Sequence, residues 1–568
     1  MFKQYLLLFY SLTADKQTNF CTLPCLQIYL FCINHIRLSG REVLTACCTH
    51  FYVIIYVCDI LVVNSLLFLT DILQHEDLLS LKDLQPGWSF IARYKDVSDI
   101  EWSSWKYFFH TSWYYLIIQF FISESIRQVQ PSYLKLWYIL SAVIFITTRM
   151  GTRQMVIIFA QPVIYALIIN FGGNKLMIWS TSMLLLLSYN SLKYKYFFWN
   201  FLDHDDMQDE EVYLILFSVA WIELRCISYC IDFIEKRTDL KKYNNLTFQD
   251  VINMFSYILY LPVLYTGPVI LYEEFERSFT VKGENCITKL RRFIWNMMFY
   301  LFYTFCLDVA FHYIYFFAMQ DNMKVLDFFS VVIHTSLFIN MTQKYFQLIR
   351  KLPSIALCGG GLWMGLQFHM KYVISYGTTS AFSRLDDMDP PPTPRCIARV
   401  HVYSQMWRHF DVGLYRFLPG FNTISKYTNL PKTAQKLLAS LATFIFIFMW
   451  HGAVWHILVW SFLNYLGIIL EHLGKAVSKH KQYLWFTSNI LRSDKMEARF
   501  IAALCTPLLA LSAVSNFYLF GGSDIGNLFF ECFSHPSLLN SFLLSTTLYC
   551  CSHSKTFLPK KTMNILRK

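Results

Sequence analysis

The chain has 568 residues, of which 55% are hydrophobic, 18% aromatic and only 15% charged, with a formal net charge of +11. Ordinary soluble domains carry roughly 25% charged residues, so this composition, at a mean hydropathy of +0.36, excludes a water-soluble enzyme. The positive charge is spread over short loops, which fits the lysine and arginine bias of cytosolic membrane loops and excludes a nucleic-acid-binding stripe.

Residues 1–45 form an N-terminal segment apart from the rest. Met1–Leu12 has a basic residue and a short apolar run but no small-residue cleavage site, and Gln27–Ile36 is too short to span. A membrane domain is expected over 46–555, followed by a basic tail at 556–568. Its first span is Phe51–Thr70, and the polar stretch Gln74–Glu101, with Pro86-Gly87, reads as a loop. Apolar runs then follow at Tyr107–Ser123, Leu134–Thr148, Met155–Phe171, Leu176–Tyr189, Val212–Phe233, Ile252–Tyr272 and Phe293–Met319. Further runs are Phe328–Phe346, Ile355–Tyr376, Leu437–Met449, Val454–Leu470, Phe500–Phe520 and Leu538–Cys551. A bilayer core takes about 20 helical residues, so the fold class is an all-α polytopic bundle of roughly eleven to thirteen spanning or re-entrant helices.

Basic clusters at Lys236–Lys242, Lys282–Arg292, Lys475–Lys481 and Lys555–Lys568 place those loops in the cytosol, with acidic Asp203–Glu211 opposite. Several polar residues sit inside the runs: Glu223, Arg225, Asp308, His312 and His334. Asp308 and His312 are one helical turn apart, close enough to pair, and a structural pair is the plainer reading. Pro262 and Tyr265-Thr266-Gly267-Pro268 interrupt one run, as in a broken helix that lines a cavity or a packing kink. The sixteen cysteines show no paired C-x-x-C spacing, so no zinc site is expected. Cys396 follows the rigid Pro390–Pro394 segment between Arg395 and Arg399, where positive charge favours a thiolate; an ordinary free cysteine is the plainer alternative.

His451, in Trp450-His451-Gly452, lies between two apolar helices. A titratable imidazole there is costly unless it serves a site. His456, five positions on, points elsewhere on an ideal helix. Trp455 and Trp460 read as packing or interface anchors, and Asn464 as a hydrogen bond between helices.

Arg395-Cys396, Met406-Trp407-Arg408-His409-Phe410-Asp411-Val412-Gly413-Leu414 and Trp450-His451-Gly452 together resemble the hedgehog acyltransferase branch of the membrane-bound O-acyltransferase (MBOAT) superfamily. Glu101-Trp102, Leu261–Pro268, Ser515-Asn516 through Gly522 and Tyr549–His553 extend the likeness over roughly residues 95 to 555. The resemblance implies an MBOAT-type bundle in the endoplasmic reticulum or Golgi membrane. It further implies palmitate transfer from palmitoyl-CoA to the N-terminal cysteine of a secreted hedgehog-type protein. On that likeness His451 is the catalytic histidine and Asp411 the second essential polar residue. Trp407, Arg408 and Asn516 lie at the acyl-donor or substrate site, and Cys396 ligates a structural haem b. The chemistry agrees, because acyl transfer to an amine calls for a base with a pKa near ambient pH and a group to orient it or to hold the acceptor's ammonium. Departures are Phe421–Asn429, where the family has a Tyr-x-Tyr-Ile-Pro segment, and Ala453 in place of a second glycine. Rival readings are an MBOAT enzyme acylating a lipid hydroxyl or a Wnt-type serine, a non-catalytic regulator of the same fold, and a transporter.

Overall fold

The computed structural model describes residues 83–190, 208–239, 245–280, 283–318, 354–395, 403–418 and 431–534, with isolated positions between 542 and 549. The expected spans at Phe51–Thr70, Phe328–Phe346 and most of Leu538–Cys551 lie outside these, as do residues 1–45, His334, Cys396, the Phe421–Asn429 loop and the tail. The elements are β1 (Leu84–Pro86), β2 (Tyr94–Asp96), α1 (Ile100–Val129), α2 (Leu134–Phe145), α3 (Thr152–Asn170) and α4 (Lys175–Asn190). Next come α5 (Asp209–Asp239), α6 (Phe248–Ile258), α7 (Tyr272–Ser278), α8 (Cys286–Ala310), α9 (Ser354–Leu385), α10 (Tyr403–Phe410) and α11 (Val412–Phe417). The last are α12 (Lys432–Trp450), α13 (Trp455–Val477), α14 (Lys481–Phe486) and α15 (Asp494–Ser534). Seven of the described helices are long and apolar enough to cross a membrane, so the all-α polytopic expectation holds.

The chain divides into two compact units. The larger holds residues 100–300 and 371–536 and is built around α5, which packs against α1, α3, α4, α6 and α7. Small residues on α5 (Ser218, Ala220, Cys226, Ser228, Cys230) admit neighbours closely. Asp209, Glu210 and Glu211 at its start and Lys236 and Arg237 at its end complement the helix dipole. Its two central charges are fully buried and separately satisfied. Glu223 accepts from Gln161 (2.9 Å) and Tyr165 (2.5 Å) of α3. Arg225 donates to the carbonyls of Ile258 (2.9 Å) and Val263.

Those carbonyls are free because the run Ile252–Tyr272 is not a span. Helix α6 ends at Ile258, a 3-10 turn covers Leu261–Val263, and helix resumes only at Tyr272. Pro262 supplies no amide, and Gly267 has φ +71° with Trp221 so close that a Cβ would sit 2.9 Å from the indole. In the second half of this unit, α13 packs on α10, α12 and α15, and α12 reaches back to α4.

Among the described residues the smaller unit holds 83–99, 301–318, 354–370 and isolated positions between 542 and 549. Here β1 and β2 pair antiparallel, with Leu84 opposite Asp96, inside the stretch expected to be a loop. The hairpin is fastened to 308–318. The Asp96 amide donates to the Phe311 carbonyl (3.0 Å), and its carboxylate accepts from the Ala318 amide (2.9 Å). Asp308 and His312 join through the Asp308 carbonyl. The Asp308 carboxylate takes Lys95 at 2.8 Å, while His312 Nδ1 donates to the Asp308 carbonyl (2.7 Å) and its Nε2 accepts the Trp88 amide (3.0 Å).

Candidate active site

Helix α12 stops at Trp450 with a Schellman closure. The Ala453 amide bonds the Phe448 carbonyl (3.1 Å), and the Gly452 amide bonds that of Met449 (3.4 Å). This closure needs φ near +119° at Gly452, which only glycine adopts without strain, and it carries Ala453 into the left-handed region at φ +46°. The turn leaves His451 as the cap residue, at the point where the backbone reverses into α13. Asn190, at the end of α4, donates to the Met449 carbonyl (2.9 Å), and the Trp450 indole donates to the Ala220 carbonyl of α5 (3.1 Å). The histidine is thus fixed from both sides by backbone contacts.

Its ring packs edge-on against Trp450 (centroids 4.9 Å apart) and Trp460 (5.5 Å). Trp460 is 1% exposed, so the imidazole touches the bundle core, yet it is itself exposed. Among the described residues neither ring nitrogen has a hydrogen-bond partner. A histidine wedged among core tryptophans with both nitrogens open has the form of an available base.

The contacts continue in both directions and close on themselves. From Trp450 they pass to Trp221 (5.5 Å), Tyr376 (6.1 Å), Tyr372 (5.3 Å) and Phe410 (5.8 Å). From Phe410 they return through Trp407 (6.5 Å) and Trp460 (5.4 Å) to His451. Each such pair contributes about 0.5–1.5 kcal/mol beyond its buried area, so the circuit is a stiff frame.

Of the residues singled out in the sequence, Trp407 lies in this circuit, and its Nε1 donates to Asn464 Oδ1 (3.1 Å). Asn464 in turn donates to the Trp460 carbonyl (2.8 Å) and to Ser515 (3.3 Å), which is the helix-to-helix role expected of it. Asp411 is buried and joined to the circuit through Tyr376. It caps α11 by accepting the Leu414 amide (2.8 Å), and its other oxygen accepts the Tyr376 hydroxyl (2.9 Å). No hydrogen bond joins Asp411 to His451 among the described residues, so the carboxylate does not orient the imidazole directly. Burial pushes the Asp411 carboxyl up, against the pull of the Leu414 amide and the Tyr376 hydroxyl. Arg408 is exposed and turns to the Tyr415 hydroxyl (3.2 Å), and Asn516 is half-buried beside Ser515. Cys396 falls outside the described residues. Among those described no group of three metal-ligating side chains occurs, and the haem expectation rests on Cys396 alone.

Sequence reasoning missed Trp221, Tyr372 and Tyr376, and gave Trp460 only a packing role. The one available signal was the four-residue spacing of Tyr372 and Tyr376, which sets both on one helix face.

The profile of the family described as MBOAT, membrane-bound O-acyltransferase, matches residues 168–491. Protein-cysteine N-palmitoyltransferase Rasp of Drosophila melanogaster is 28% identical over 500 residues, covering 86% of this chain and 91% of that protein. Protein-cysteine N-palmitoyltransferase HHAT of Mus musculus is 25% identical over 306 residues, covering 53% of this chain and 56% of that one. The mouse HHAT-like protein is 21% identical over 432 residues, with coverages of 75% and 77%. The matched segment contains His451, Asp411 and the whole aromatic circuit, and the chain belongs to the membrane-bound O-acyltransferase family as a multi-pass acyltransferase.

Proposed function

We propose that this protein transfers palmitate from palmitoyl-CoA to the N-terminal cysteine amine of a secreted hedgehog-type protein, in the endoplasmic reticulum or Golgi membrane, with His451 as the base. The observation that carries the reading is the accessible imidazole with two unengaged nitrogens at the core of the aromatic circuit. The acceptor follows from the likeness to Rasp and HHAT, both named protein-cysteine N-palmitoyltransferases.

In this reaction the amine lone pair attacks the thioester carbonyl, giving a tetrahedral intermediate that carries an extra proton on nitrogen. His451 takes that proton, the carbon–sulfur bond breaks, and the proton passes to the departing CoA sulfur. The products are an N-palmitoyl amide and free CoA. Among the described residues Asp411 has no cation of its own, and it holds the acceptor's α-ammonium until that group releases a proton to water and becomes the neutral amine.

The test uses purified full-length protein, palmitoyl-CoA and a peptide beginning with cysteine, with the N-acetylated peptide as the blocked control. General-base catalysis contributes roughly 10²–10⁴-fold, so His451→Ala is expected to lose at least about 100-fold in amide formation while keeping its melting temperature. A near-normal rate in His451→Ala sinks the assignment of the base. Label appearing on a lipid or serine hydroxyl instead of the amine sinks the acceptor.

A further inference from the structure

We propose that Tyr376 is a positioning residue for the acceptor: its hydroxyl holds the Asp411 carboxylate as the docking point for the substrate's α-ammonium, on the circuit that His451 completes. This rests on the acyl-transfer reading above and goes beyond it by naming what makes Asp411 competent.

The first observation concerns Asp411 itself. Capping a six-residue helix needs only a serine, threonine or asparagine. A carboxylate at 9% exposure is a costly choice for that task unless something cationic meets it. Among the described residues no cation pairs with Asp411. The two arginines nearest in sequence are engaged elsewhere, Arg408 with Tyr415 and Arg416 with Glu274 (2.6 Å).

The second observation is the contrast one turn earlier on α9. The Tyr372 hydroxyl donates to Glu101 (2.7 Å), and that carboxylate already has its cation, Lys371 at 2.5 Å. The two tyrosines thus present two carboxylates to one side of the bundle. One is neutralised from within the chain, and the other is left for a visitor.

The third is the tyrosine's own placement. Tyr376 is 3% exposed, and Asp411 is its hydrogen-bond partner. Phenylalanine would fill the same space against Trp221 and Tyr372, so packing does not explain a buried hydroxyl. What the hydroxyl adds is a donor that favours the ionised carboxylate and fixes its plane. Among the described residues the groups facing Asp411 are this hydroxyl and the amides of Gly413 and Leu414 from its own helix, and no charged side chain contributes.

The variants are Tyr376→Phe and Asp411→Asn in the full chain, assayed for kcat and for both KM values between about pH 6 and pH 8.5, on either side of the α-amine's titration. In Tyr376→Phe the KM for the N-terminal-cysteine peptide is expected to rise about tenfold at the acidic end, the scale of one hydrogen bond to a charged group. The KM for palmitoyl-CoA stays level, and the peptide defect, taken as a ratio to wild type at each pH, is largest at the acidic end, where the α-amine is charged. Asp411→Asn keeps the cap and an acceptor for Tyr376, and should show a peptide defect at least as large. Either variant with a wild-type peptide KM, or with an equal loss for both substrates, overturns the proposal. An active wild type with a dead His451→Ala but unaffected Tyr376→Phe and Asp411→Asn rejects this inference alone. A wild type that makes no amide rejects the acyl-transfer reading beneath it.

Discussion

At the scale of single residues, the turn after His451 carries a local conflict. The Schellman closure puts Gly452 where glycine belongs, but the next residue is Ala453 at φ +46°. An L-residue with a Cβ in that region costs roughly 1–2 kcal/mol, part of which a glycine would return as unfolded-chain entropy. Ala453→Gly is therefore expected to stabilise the protein by up to about 1 kcal/mol, read as a higher melting temperature in detergent, with acyl transfer unchanged. Sequence was informative about His451, because two apolar runs of membrane length on either side of Trp-His-Gly leave the imidazole few places to go. It was silent on the link from Asp411 to Tyr376, since 35 positions separate them and only the folded chain brings the hydroxyl to the carboxylate. For Asp308 and His312 the spacing was informative about the pair but silent on Lys95, which the Asp308 carboxylate also takes.

At the scale of elements, periodicity and run length located most helices, while short polar elements were lost. The hairpin of β1 and β2 has three residues per strand and a proline, so no alternation marks it. It exists because Asp96, 2% exposed, gathers the Ser98 and Ala318 amides and the Ser98 hydroxyl. Burial pushes the Asp96 carboxyl from the usual 3.8 up to about 7. A raised folded-state pKa means that the protonated form is the one folding favours. The stability it contributes is fully present below about pH 3.8 and is lost as pH climbs through about 7. Asp96→Asn, which holds a neutral acceptor at every pH, should flatten the dependence of the melting temperature on pH across that window. An unaltered pH profile would show that Asp96 does not titrate there. The break after α6 was legible from Pro262 and Gly267. That Arg225 would take up the released carbonyls was not, because an arginine inside an apolar run has many possible partners.

At the scale of the whole molecule, the partners of α5 bear on how the chain is made. Glu223 finds its donors on α3, upstream, whereas Arg225 finds its acceptors at Ile258 and Val263, downstream. A lone arginine at mid-helix opposes insertion by roughly 2.5–3.5 kcal/mol on translocon scales. In a nascent chain ending near Asp239, α5 therefore carries an unsheltered guanidinium and is expected to integrate poorly, although the earlier spans hold the chain in the membrane; the readout is which side of the membrane a glycosylation-acceptor tag just after α5 reaches. In a chain extended past Pro268 that tag should lie where an integrated α5 puts it, and Arg225→Leu should place it there in the shorter chain as well. The same placement in all three would show that Arg225 does not delay integration. On this account the ribosome must deliver the segment after α5 before α5 can settle, and biogenesis acquires an obligatory order from one guanidinium and two orphaned carbonyls.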